Sequence, residues 1–162
     1  MPGKSEQSLP GFGQAYRKAA DYCAVQDRCI SEIQLKFKSW DFDKSLFRPV
    51  INKLIEEDFV NEKRFAINYS GGKFRINGWG RLKIAAGLRA RSIPAEFIKE
   101  ALSGIENEGY SDTLGALLQK KLKQLGGDTP ENRQKAAFYA ASRGFEPGLI
   151  ASKLRDNDLF DL

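Results

Sequence analysis

The chain has 162 residues, 41% of them apolar, and a net charge of +5. That apolar content excludes wholesale disorder, and the length fits one elongated domain or a short array of small modules. It contains no histidine and two cysteines, so the commonest general base is missing, and a disulfide framework or a structural zinc site lacks the necessary residues.

In chain order, residues 1–12 open Met1-Pro2-Gly3-Lys4-Ser5-Glu6 with no apolar run behind the charge. They read as a flexible tail, not as a secretory signal. Cys23 and Cys29 are expected as reduced, partly buried thiols on or beside one helix. Leu46, Phe47, Val50, Ile51, Leu54 and Ile55 recur on a helical period, although Pro49 should kink that helix or shift its start. Asn61-Glu62 offers the next start. Gly71-Gly72 then falls inside the expected helix, where each glycine costs about 1 kcal/mol relative to alanine, or else marks a bend between Tyr69 and Lys73.

Pro94 sits at the start of a helix carrying Phe97, Ile98, Ala101, Leu102 and Ile105 on one face. Ser111-Asp112 opens a segment with Leu114, Leu117, Leu118, Leu122 and Leu125, stopped by Gly126-Gly127. Thr129-Pro130-Glu131 combines an N-cap, a proline at the first helical position and an acid at the positive end of the helix dipole. Gly144 stops that helix and Pro147 starts the last. No strand-like alternation, hairpin signal or membrane-length apolar run is present, and the fold class is predicted as all-α.

The pattern repeats. A shift of 51 carries Ile33 to Ile84, Phe37 to Leu88, Phe42 to Ile93, Leu46 to Phe97, Phe47 to Ile98 and Ile51 to Leu102. A further shift of 52 carries these to Ala136, Ala140, Phe145, Leu149, Ile150 and Leu154. Each unit reads as two helices, a turn with one apolar plug (Phe42, Ile93 or Phe145), and a third helix. The predicted organisation is therefore a tail (1–12), three tandem three-helix repeats (13–60, 61–107 and 108–156) and an acidic C-terminal tail (157–162). Units of this size share apolar surface with their neighbours, so the array is expected to stack into an elongated, curved solenoid.

Charge is uneven across the repeats. The first carries eight basic and eight acidic residues, the second nine and four, the third eight and six. From Lys63 to Ala95 there is no acidic residue, while Lys63, Arg64, Lys73, Arg75, Arg81, Lys83, Arg89 and Arg91 are all present. One-sided charge of this kind points to a polyanion or an acidic protein groove as partner.

The segment Ile51 to Ala66, INKLIEEDFVNEKRFA, resembles the signature of the RecX regulatory proteins through Glu57, Phe59, Val60, Asn61, Glu62, Arg64, Phe65 and Ala66. The resemblance runs on through Tyr69, Gly78-Trp79-Gly80, Lys83-Ile84, Leu88 and Ile93. Upstream it includes Lys36-Phe37 and Asp41-Phe42-Asp43, and in the third repeat Ala137, Arg143-Gly144-Phe145 and Ile150. It spans residues 15–155. Cys29 stands where the family commonly has a capping serine, and Trp40-Asp41 where it has a basic residue and glycine.

The resemblance implies a cytoplasmic, monomeric, non-enzymatic regulator with no cofactor or metal. It would lie in the groove of the RecA nucleoprotein filament and inhibit RecA's ATPase and recombinase activities, with weak, sequence-independent DNA binding. The residues expected to meet the partner are Arg64, Lys73, Arg75, Arg81, Lys83, Arg89 and Arg91, arginine suiting bidentate pairing with carboxylate or phosphate. Tyr69 and Trp79 are candidate stacking or anchoring groups, and Phe65 is assigned to the core. The alternative is a DNA-binding protein that uses paired helices in the helix-turn-helix manner.

Overall fold

The computed structural model describes residues 6–105 and 109–156. Residues 1–5 of the expected tail, and all of the acidic segment 157–162, lie outside the described residues. Among the described residues there are nine α-helices and no strand. They are α1 (Phe12–Val25), α2 (Ile30–Ser39), α3 (Phe47–Glu56), α4 (Glu62–Arg75), α5 (Arg81–Ala90), α6 (Ala95–Ile105), α7 (Tyr110–Gln124), α8 (Pro130–Ser142) and α9 (Pro147–Arg155), with a short 3-10 turn over Lys44–Leu46. The fold is all-α, an array of three-helix repeats, and none of the described helices is long and apolar enough to cross a membrane.

The repeat is written into the backbone as well as the apolar pattern. The second helix of each unit is followed by one residue in the left-handed conformation: Asp41 (φ 57°), Ser92 (φ 58°) and Gly144 (φ 98°). These three positions are related by the same shifts of 51 and 52 as the apolar residues. The plug follows directly. Phe42 N–H donates to the Phe37 carbonyl (3.3 Å) and Phe145 N–H to the Ala140 carbonyl (3.2 Å), satisfying carbonyls that a helix end leaves open. Phe145 is fully buried and Ile93 is 5% exposed, whereas Phe42 is half-buried against the rings of Phe37 and Trp40. Trp40 also meets Tyr22 edge-on at 5.9 Å. The tryptophan at this position extends an aromatic cluster.

Three local difficulties are resolved. Pro49 lies in the first turn of α3, where backbone N–H groups have no intrahelical acceptor, so the helix simply starts late after the 3-10 turn. The helix α4 runs through Gly71-Gly72 without the bend considered above. A Cβ on Gly71 would sit 2.3 Å from an Arg75 guanidinium nitrogen, so the missing side chain leaves room for Arg75 to fold back one turn. Part of the segment expected as a tail is packed: Phe12, which opens α1, is only 3% exposed, and Leu9 packs against the same core. Further along, α7 starts at Tyr110 after the left-handed Gly109, one residue before the Ser111-Asp112 start.

Two compact units emerge from the packing: residues up to Ala66 with Arg91–Ile93, and Ile67–Ala90 with Pro94 onward. The first is centred on Phe12, Ala15 and Ala19 of α1, Ile33 and Phe37 of α2, and Leu46, Val50 and Leu54. Both cysteines are buried free thiols. Cys29 occupies the N-cap of α2, its N–H accepted by Glu32 (3.3 Å) in a capping box. Burial pushes the Cys23 thiol up to about 11 and raises that of Cys29 as well, so neither is poised as a thiolate.

The left-handed residues of the first two repeats give a direct test of the stop. A non-glycine residue in that conformation costs about 1–2 kcal/mol, partly offset in a glycine variant by its freer unfolded chain. Ser92→Gly is therefore expected to raise stability by about 0.5–1 kcal/mol in urea unfolding. A fall in the midpoint would show that the serine side chain, not the turn geometry, matters there.

Candidate interaction surface

The middle repeat's basic helix is held by a junction in the second unit, where the end of α8 meets the start of α5. A helix start leaves N–H groups without partners, and a helix end leaves carbonyls. Here each supplies the other: Gly80 N–H donates to the Arg143 carbonyl (2.8 Å) and Leu82 N–H to the Gly144 carbonyl (2.9 Å). The approach is so close that a Cβ on Gly80 would sit 2.3 Å from the Gly144 carbonyl carbon. One on Gly144 would sit 2.4 Å from Lys83 Cβ, and only glycine is unstrained at its positive φ.

A polar cluster locks the same junction. Arg81 N–H donates to the Tyr110 hydroxyl (3.0 Å), which donates to Glu146 Oε1 (2.8 Å). The Arg81 guanidinium pairs with Glu146 Oε2 at 2.7 Å and lies over the Tyr110 ring. The hydrogen bond that the Arg81 guanidinium donates to Glu146 holds the Arg81 pKa above its usual range, and burial pushes the Tyr110 phenol up to about 12. Phe74 and Phe145 close on Tyr110 at ring distances of 5.7 and 5.1 Å.

The expected contact residues fall into three groups. Arg64 and Arg91 belong to the first unit: Arg64 pairs with Asp27 (3.2 Å) and Asp58 (3.2 Å), and Arg91 with Glu32 (3.4 Å). With Arg81 they make three of the five arginines partners of this chain's own carboxylates. The second group comes together: the ammonium groups of Lys73 and Lys83 lie 4.7 and 4.4 Å from the centre of the half-exposed Trp79 ring, and Lys73 is also 5.5 Å from that of Tyr69. Tyr69 itself lies across α5, its hydroxyl 2.1 Å from where a Cβ on Gly87 would be, so it packs within the repeat. The third group, Arg75 and Arg89, is exposed. Phe65 is 6% exposed, in keeping with its assignment to the core.

Sequence reasoning missed Tyr110 and Glu146, whose partner Arg81 is 29 and 65 residues away; nothing local marks such a pairing.

The family model described as the RecX second three-helix domain matches residues 61–102, and that of the third matches 108–154. A regulatory protein RecX from Clostridium acetobutylicum is 30% identical over 147 residues, covering 88% of this chain and 68% of that protein. The chain belongs to the RecX family. Another RecX, from Prosthecochloris aestuarii, is 27% identical over 87% of this chain and 91% of its own length. The crystal structure of RecX from Lactobacillus salivarius shares the fold, with a TM-score of 0.83 at 23% identity over 92% of this chain and 97% of that one. RecX is a family of regulatory proteins, and the junction above joins two of the motifs that suggested it, Gly78-Trp79-Gly80 and Arg143-Gly144-Phe145.

Gly144→Ala should cost this RecX chain at least about 2–3 kcal/mol, combining left-handed strain with overpacking against Lys83. Gly148→Ala, in open space on α9, should be neutral or slightly stabilising. Equal urea midpoints for the two variants would contradict the junction as described.

Proposed function

We propose that this chain binds the RecA nucleoprotein filament and restrains RecA's ATPase and recombinase activities, without chemistry of its own. Family membership supports the choice of partner. The observation that carries the residue assignment is the cationic platform of Lys73, Trp79 and Lys83, together with exposed Arg75 and Arg89, in a segment free of acidic residues from 63 to 95.

Two ammonium groups crowded on one indole repel each other, and a carboxylate or phosphate brought between them relieves that repulsion. The indole then adds apolar contact area at the centre of a charged patch, the usual composition of an interface anchor. A protein bound across RecA subunits acts through differential affinity for filament states, resisting the subunit motions that ATP turnover requires. Arg81, Arg64 and Arg91 serve in this reading chiefly by holding the fold. Direct DNA binding is expected to be weak, sequence-independent and steeply salt-dependent.

The test is RecA's DNA-stimulated ATPase, with the purified chain added below RecA's concentration. Inhibition is expected, and Lys83→Glu combined with Arg89→Glu should require on the order of tenfold more protein for the same effect. Absence of inhibition at every ratio would remove the proposal. Strong preference for one duplex sequence would instead favour the DNA-reading alternative.

A further inference from the structure

We propose that a groove between the end of α4 and the α7–α8 pair is a second binding site, and that it takes an acidic protein segment carrying an apolar anchor residue. The groove is open, has a volume of about 600 Å³ and lies wholly in the second unit. Its charged lining residues are Arg75, Lys120, Lys121 and Arg143, and none of its lining residues is acidic. Of the nine residues assigned above to the partner surface, only Arg75 reaches it. The site shares Arg75 with the surface proposed above but includes none of Lys73, Trp79 and Lys83, and it does not depend on the filament reading.

The groove's cations come from α4, α7 and the residue that follows α8, and their charge is one-sided in a way that of α8 itself is not. On that helix Arg133 is paired with Asp128 and Lys135 with Glu131. Four cations around one concavity with no carboxylate in its wall focus a positive potential, and a segment bearing several carboxylates is its complement. Arg143 is fixed in that wall. Its Nη2 donates to the Asn77 carbonyl, which holds the guanidinium at the groove.

The apolar part of the lining decides between polyanions. Ile76 stands at the groove with 85% of its surface exposed. Tyr139 is half-buried, with the Lys121 ammonium 4.6 Å from its ring centre. A phosphodiester strand would use the cations and leave the isoleucine in water. An acidic segment with a leucine or phenylalanine side chain uses both, its carboxylates on the lysines and arginines and its apolar group on Ile76.

Fluorescence anisotropy on the full chain tests the assignment with three labelled probes: a short Asp/Glu-rich peptide containing leucine and phenylalanine, a peptide of equal charge with alanine in their place, and an oligothymidylate. The apolar acidic peptide should bind best. Lys120→Glu with Lys121→Glu should weaken it on the order of tenfold. Ile76→Ser should weaken it and leave the alanine peptide unchanged, and Lys83→Glu should leave both peptides unchanged. These surface variants should keep the wild-type thermal unfolding curve. No peptide binding, indifference of the apolar peptide to Ile76→Ser, or oligothymidylate as the one probe lost in the double lysine variant would each overturn the proposal.

Discussion

The second unit depends on two helix ends that complete each other. The carbonyls of Arg143 and Gly144, just past the end of α8, accept N–H groups of Gly80 and Leu82 at the start of α5, and the negative end of one helix dipole faces the positive end of the other. Each bond is modest in net terms, about 0.5–1.5 kcal/mol. The alternative is costly, because Gly80 and Gly144 are buried and their peptide groups would otherwise be desolvated without partners. The pairing requires backbone to touch backbone, which explains the glycines. The Arg81–Tyr110–Glu146 cluster then fixes the approach from the side. Trp79 and Lys83 flank Gly80 and Arg81 in sequence, so the geometry of the cationic platform follows from the same contact.

Much of the architecture was legible in the sequence because a three-helix repeat must bury the same positions each time. Ile33, Ile84 and Ala136 are all fully buried, as are Leu88 and Ala140. The plug positions mark the same turn in each unit, and the left-handed residue before each plug strengthens the match. Glycine at 144 advertises that conformation and aspartate at 41 tolerates it, whereas Ser92 adopts it under the demand of the turn. The bend considered at Gly71-Gly72 follows from helix propensity alone. Packing overrides it: Ser70 and Gly71 are buried in an unbroken α4.

The candidate surface was less legible. Counting charge along the chain identified the basic repeat but treated every arginine in it as available. Arg81 and Arg91 find carboxylates 65 and 59 residues away, beyond the reach of any local pattern, and Arg64 adds Asp27, 37 residues away, to the nearby Asp58. The two lysines instead gather at Trp79. Arginine's fork suits internal ion pairs as well as external ones, so residue type did not distinguish the two uses. Lys120, Lys121 and Arg143 sit in a repeat with nearly balanced charge, where a segment total hides a groove that has only one sign.

The helix-end pairing at Gly80 and Leu82 can be read residue by residue from amide hydrogen exchange. First-turn amides of a helix ordinarily exchange fast because they lack acceptors. Here Gly80 and Leu82 should be protected to a degree approaching that of the buried amides of Leu114 and Leu118, and Gly144→Ala should abolish that difference from an ordinary helix start. Exchange of both amides at the rate of an open helix N-terminus in the unmodified chain would contradict the account.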